Sequence, residues 1–259
     1  TYYVDAGQLL IDGKIIGNYD GRARGRVPIQ EILNQSLNTG AVFIMQKLGQ
    51  ANFQNYLNRF NLGHKTGIDL PGESSGLMGN LLSNREVEFA TASFGQGIAL
   101  TPINIAMALS TLASDGYLIK PQIVKRLRYE TGLTDEVPAE RIGQAIKPET
   151  AKRVTDMLVK TVDEVLDGGR ARLPHYLVAA KTGTAQIPRT DGQGYEPDKY
   201  LHSFFGYFPA SAPRFSVFLY ALEPVGANYA SQTLTSPFSQ VAKFLLNYYQ
   251  VPPDRLPNL

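Results

Sequence analysis

The 259-residue sequence contains no cysteine. That absence excludes a disulfide framework and any thiolate metal site, and it fits an oxidising compartment without demonstrating one. The only histidines are His64, His175 and His202, and their spacing matches no ligand pattern. No metal and no cofactor is expected. No run of 18 apolar residues occurs, so no segment reads as a membrane span, and no signal-peptide pattern opens the chain. Basic blocks interleaved with aromatics are missing as well. With a net charge of +2, nothing points to a nucleic-acid partner. Internal repeats, low-complexity tracts and linkers are also lacking, which makes residues 1–259 a single domain.

What is present suits a folded core: 43% of residues are apolar and 19% charged, with the two signs nearly balanced. The opening TYYVDAGQLLIDGKIIGNYDG reads as strand and turn. Pro28 is placed to open a helix carrying Ile29, Ile32 and Leu33, which stops at the turn formers Ser36-Leu37-Asn38-Thr39-Gly40. A second helix carries Ala41, Ile44, Met45 and Leu48, and a third stretch runs from Phe53 to Phe60. Thr101-Pro102 and Pro148 open two more helices. Strands are expected over 176–187, 201–208 and 215–222, the last apolar on both alternations and so covered on both faces. A final helix is expected over 236–249. Helices followed by strands on short connections and a closing helix predict an α/β domain of the α+β type, an antiparallel sheet with helices packed on it.

The stretch Ala180-Lys181-Thr182-Gly183-Thr184-Ala185 ends an apolar run. On a strand, Thr182 and Thr184 share one face and Lys181 and Gly183 the other. Gly183 lets another group approach the backbone, while two hydroxyls and an ammonium suit a carboxylate ligand. Taken alone, this is also how an ordinary strand ends in polar residues. Ser36-Leu37-Asn38, 145 residues earlier, is by itself helix-end punctuation. Together the two stretches match two members of the set S-x-x-K, S-D-N and K-T-G, the signature of class A β-lactamases and penicillin-binding proteins, with Leu37 at the centre of the middle motif.

The resemblance extends over most of the chain. The blocks TGIDLPGE (66–73), ASFGQGIALTPINIAMALSTLASDG (92–116), AAKTGTAQ (179–186) and SFFGYFPASAPRFSVFLYALEP (203–224) resemble, in order, the transpeptidase domain of class B penicillin-binding proteins. The resemblance implies a five-stranded antiparallel sheet flanked by helices, with a helical subdomain, and a peptidoglycan D,D-transpeptidase that β-lactams acylate. It implies catalytic roles for Ser36, Asn38 and Lys181 and substrate binding by Thr182, Gly183 and Thr184. Stem peptides, β-lactams and a membrane glycan polymerase are the implied partners, and a membrane-anchored, extracytoplasmic location follows. The block at 203–213 leans toward the division-type branch. A class A β-lactamase needs a deacylating glutamate, and Gln54-Asn55-Tyr56-Leu57-Asn58 offers an amide instead, which disfavours that reading.

The S-x-x-K nucleophile is the missing member. No serine in the sequence has lysine three residues on; Ser239 comes nearest, with Lys243 one position too far. Three explanations stand: an upstream fragment of the same protein supplies S-x-x-K, the fold is a non-catalytic penicillin-sensing module, or an unusual nucleophile lies elsewhere. The first is favoured by the start in mid-strand. The family's S-x-x-K helix is central, so its loss would expose apolar core. Residues 1–259 expressed alone are therefore expected to be poorly stable, and a cooperative thermal transition well above ordinary temperature would contradict that.

Overall fold

The computed structural model describes residues 1–192 and 194–255. Two hairpin-like pairs come first. Strand β1 (Tyr2–Asp5) leads to β2 (Gln8–Ile11) and β3 (Lys14–Gly17), then β4 (Gly25–Pro28). β2 and β3 are joined by Asp12-Gly13, both at positive φ as a tight reversal requires, whereas β4 returns to pair with β1. Pro28 therefore ends a strand rather than opening a helix. It sits opposite Tyr2 at the end of a two-stranded ribbon, where proline's missing N–H breaks no ladder.

Helices α1 (Gln30–Asn34), α2 (Asn38–Leu48), α3 (Gln50–Arg59) and α4 (Glu86–Ser93) build the helical part. Ile11 and Ile16 from the β2–β3 hairpin join Val42 and Met45 of α2 and Val87 and Ala90 of α4 in one buried cluster. Next come α5 (Pro102–Ser110), β5 (Tyr117–Ile119), β6 (Arg126–Arg128), β7 (Thr134–Glu136), β8 (Arg141–Gln144) and α6 (Pro148–Glu164). The hydroxyl of Thr101 accepts the Asn104 N–H as the N-cap of α5.

The main sheet contains β9 (Ala179–Pro188), β10 (Tyr195–Phe208) and β11 (Phe215–Leu222) in the antiparallel order β11-β10-β9. It is closed by α7 (Ala230–Tyr248). The fold class is the expected mixture of helices and antiparallel sheet. The strand number differs: among the described residues this sheet has three strands, not five. The remaining strands among the described residues are three or four residues long and pair only two by two, not hydrogen-bonded to this sheet.

Alternation along β10 decides how the sheet is covered. Phe204 and Phe208 turn toward α7 and pack on Phe238, Ala242 and Leu246; the Phe204 and Phe238 rings stack at 4.3 Å. Phe205 and Tyr207 turn the other way, toward Leu158 of α6, and the Tyr207 hydroxyl lies 2.6 Å from that of Thr155. β11 departs from the expectation of two covered faces. Phe215, Val217, Leu219 and Ala221 pack beneath α7, but Tyr220 and Leu222 are 54% and 63% exposed. The helices on that side cover β9 and β10 and extend over β11 only as far as Phe218.

α7 starts six residues earlier than Ser236-Pro237 suggests. The Gln232 side chain accepts the N–H groups of Asn228 and Tyr229, a better start than serine–proline offers, and leaves Pro237 inside the helix. Between α7 and the sheet, Gly206 lies flush: a Cβ there would sit 2.5 Å from the Phe238 ring and 2.8 Å from Ala180 Cβ. Gly206→Ala is expected to cost about 1–3 kcal/mol through overpacking, read by chemical denaturation as a lower midpoint at unchanged slope.

Candidate active site

The α1–α2 loop presents Ser36. Its backbone has φ +51°, a left-handed conformation that costs a residue with a side chain about 1 kcal/mol. Leu37, 1% exposed, pins the loop from beneath, while Ser36 itself is exposed. Asn38 is the first residue of α2, and its side-chain amide donates to the Gly17 carbonyl at 2.9 Å. Gly40 lets α2 close onto its neighbours, since a Cβ there would meet Ile32 at 2.5 Å and the Tyr3 hydroxyl at 2.9 Å.

Facing this loop is edge strand β9. Lys181 pairs in register with Phe205, Thr182 with Phe204, Gly183 with Ser203 and Thr184 with His202. Lys181 thus shares the helix-ward face, and its ammonium donates to the Ser36 hydroxyl across 145 residues of chain. A second bond goes to the Thr182 carbonyl at 2.9 Å. Burial pushes the Lys181 ammonium down to about 8, with no carboxylate beside it to offset the lost water. It is a desolvated cation, anchored on a serine and a carbonyl and open to an anionic ligand.

Thr182 and Thr184 lie on the opposite face, as strand alternation predicts. The Thr184 hydroxyl accepts the N–H of Ala230, the first residue of α7, at 3.0 Å. Its single hydrogen is left to donate to a ligand at the strand edge, and the positive end of α7 polarises it for that purpose. Gly183 leaves room for Ser203, whose hydroxyl would lie 2.5 Å from a Cβ. Of the six residues expected at the site, the structure brings Ser36 and Lys181 into contact; Asn38 follows Ser36 at the start of α2, and Thr182 to Thr184 follow Lys181 along the edge strand.

Other expectations resolve more modestly. The polar, glycine-bearing stretch 189–200, whose composition predicts a loop beside the lysine strand, is partly strand, because β10 begins at Tyr195; Gln193 lies outside the described residues. Tyr195 reaches the loop Gly95-Gln96-Gly97: burial raises its hydroxyl pKa, opposed by a hydrogen bond with the Gly97 backbone. Gln54 sits on α3 with its amide 3.5 Å from the Leu81 carbonyl. A cavity of about 360 Å³ between Lys152, Thr155, Leu177 and Ala210 is lined by none of the six residues expected at the site. Among the described residues, no cluster of three or more His, Asp or Glu could hold a metal, and no helix is long and apolar enough to cross a membrane.

Sequence reasoning missed two supports of the site. Asp5, 1% exposed, and Asn18, 6% exposed, hydrogen-bond Thr39 directly behind Asn38. Burial alone would raise the Asp5 carboxyl, but bonds from Thr39, Gly7, Asn18 and Arg24 hold it below the usual value. His202, fully buried across from Thr184, places Nδ1 2.9 Å from the Thr233 hydroxyl in the first turn of α7. Burial also keeps its pKa below the ordinary histidine value, outweighing a hydrogen bond with the Asn228 backbone. No local motif marks either support.

Comparison with known proteins places the chain in a family. The family model for the penicillin binding protein transpeptidase domain matches residues 3–243. The penicillin-binding protein PbpB of Mycolicibacterium smegmatis is 32% identical over 239 residues, covering 88% of this chain and 37% of that protein. The peptidoglycan D,D-transpeptidase FtsI of Escherichia coli is 30% identical, covering 87% of this chain and 36% of that protein. The chain thus spans just over a third of the length of these relatives. The apo crystal structure of penicillin binding protein 3 from Mycobacterium tuberculosis superposes with a TM-score of 0.88 at 26% identity, covering 98% of this chain and 59% of that one. The same protein has been crystallised with aztreonam and with ampicillin. A match that runs through nearly the whole chain, with Lys181 of one motif bonded to Ser36 of the other, identifies the protein as a member of the penicillin-binding protein transpeptidase domain family.

Proposed function

We propose that this domain forms two walls of a serine D,D-transpeptidase site that cross-links peptidoglycan stem peptides and is acylated by β-lactams. The observation that carries the reading is the contact between Lys181 and Ser36, which joins the two motifs into one site. An upstream S-x-x-K segment supplies the nucleophile. Its serine attacks the carbonyl of the penultimate D-alanine, its lysine takes the proton, and terminal D-alanine leaves as the amine. Ser36 passes the proton on to that amine. An amine of a neighbouring stem peptide then attacks the acyl-enzyme, restoring the serine and forming the cross-link.

Lys181 holds the Ser36 hydroxyl in position and supplies positive charge to the substrate carboxylate, which Thr182 and Thr184 bind through their hydroxyls. Asn38 hydrogen-bonds the substrate backbone through the part of its amide not tied to Gly17. Gly183 keeps the strand edge clear so that the acyl chain can lie along it. The Thr184 N–H is one oxyanion donor and the nucleophile's own N–H the other. The relatives named as D,D-transpeptidases and the β-lactam complexes of the M. tuberculosis protein support this reading. By the same likeness, the protein works at the extracytoplasmic face of a bacterial membrane, beside a membrane glycan polymerase.

Full-length protein should form a fluorescent-penicillin adduct that survives denaturation, and Lys181→Ala should slow its formation at least a hundredfold. No covalent adduct with correctly folded protein would favour the non-catalytic, penicillin-sensing reading. Fast multiple turnover of nitrocefin would instead make it a β-lactamase.

The cationic form of Lys181 is the working form, so acylation should fall as pH rises through about 8. Lys181→Arg, which stays charged, should remove that limb from whatever activity it keeps. Stability should respond with the opposite sign. A lysine whose folded pKa is depressed binds its proton more tightly when unfolded, so its contribution improves from about pH 8 up to the ordinary lysine value. Lys181→Met should abolish that rise in denaturation midpoints measured across the window.

A further inference from the structure

Helix α2 begins at the site, yet its N-cap residue, Leu37, offers no side-chain cap. The first N–H groups of a helix need acceptors. Here one acceptor arrives from 21 residues away: Asn18 Oδ1 takes the Thr39 N–H at 3.2 Å and lies 3.1 Å from the Thr39 hydroxyl. The preceding residue, Gly17, holds the Asn38 side chain through its carbonyl. The end of β3 therefore grips both residues that follow Leu37.

Asn18 is itself held. Its amide nitrogen donates to both Asp5 oxygens, at 3.0 and 3.1 Å, and to the Arg22 carbonyl at 3.2 Å. That arrangement fixes which end of the amide faces Thr39. Asp5 also accepts the Gly7 N–H at 3.0 Å, the Arg24 N–H at 2.9 Å and the Thr39 hydroxyl at 2.7 Å. A buried carboxylate with this many donors remains charged, and its charge lies beside the positive end of α2. Ser36, in its strained left-handed conformation, hangs from the helix start that these two residues clamp.

We infer that Asp5 and Asn18 are positioning residues for the catalytic loop: through Thr39 and Asn38 they set where Ser36 meets Lys181. This rests on the transpeptidase reading, because it assigns the clamp a role in the acylation step. A clamp that served the fold alone would affect stability and leave the chemical step of the folded enzyme untouched.

The test uses full-length protein and fluorescent penicillin, separating pre-acylation binding from the acylation rate at a temperature where each variant gives the parent's near-UV circular dichroism. Asp5→Asn should lower the acylation rate constant at least tenfold while binding changes less than threefold. Thr39→Ser keeps the N–H and the hydroxyl that the clamp holds and should stay within threefold of the parent, whereas Thr39→Val, which loses the hydroxyl bond to Asp5, should slow acylation at least fivefold. Amide hydrogen exchange across residues 37–42 should accelerate at least tenfold in Asp5→Asn and stay within threefold of the parent in Thr39→Ser. An Asp5→Asn rate within twofold of the parent, or a Thr39→Ser rate as low as that of Asp5→Asn, overturns the inference. Should the parent form no adduct, the transpeptidase reading fails, and unchanged amide exchange in Asp5→Asn would separately overturn the clamp.

Discussion

The structure turns on one contact made across the whole fold, the Lys181 ammonium on the Ser36 hydroxyl. Lys181 needs a strand to place it and Ser36 needs a helix junction, and neither element has a reason of its own to approach the other. Two separate packings bring them together. The sheet sets Lys181 on its helix-ward face because Phe204 and Phe208 are committed to α7, and strand alternation leaves no alternative. The loop sets Ser36 outward because Leu37 is committed to the core. Desolvation at the meeting point is what lowers the lysine, so the electrostatics of the site follow from the packing that builds it.

The two faces of β9 have different work. Toward the helices, Lys181 is held by neutral oxygens and keeps its charge uncompensated. Toward α7, Thr184 takes the first N–H of a 19-residue helix and is left with a hydrogen to give. In the proposed function, a ligand carboxylate at the strand edge draws on a cation from one face and a polarised hydroxyl from the other. Gly183 between them, with Ser203 directly behind it, keeps that edge free of side chain.

Much of this could be read from the sequence, for identifiable reasons. β11 is a mainly apolar run bounded by turn formers, β9 continues the apolar run that ends at Ala180, and Thr101-Pro102 and Pro148 are strong helix starts, so those elements fall close to where patterning puts them. The motif residues are legible as a pair only through their match to a family signature inside flanking blocks, since each stretch alone reads as ordinary helix-end or strand-end punctuation. Pro28 misled because proline suits a strand end as well as a first helical turn. The start of α7 was hidden by Ser236-Pro237, a credible helix start that lost to the Gln232 cap. Apolar residues on both alternations of β11 predict two covered faces, but a strand's own pattern does not report how far a neighbouring helix reaches. The Asp5–Asn18–Thr39 clamp was not legible at all: its bonds span 13, 21 and 34 residues, and aspartate and asparagine near glycine read as turn punctuation.

The central claim is that Ser36 and Lys181 act as a unit. A double-mutant cycle on acylation by penicillin, with Ser36→Ala, Lys181→Ala and the pair together in full-length protein, measures that directly. If they act as a unit, each single change removes most of the rate and the double variant is little slower than the worse single one. Losses that multiply, each change costing the same whether or not the other residue is present, would contradict it.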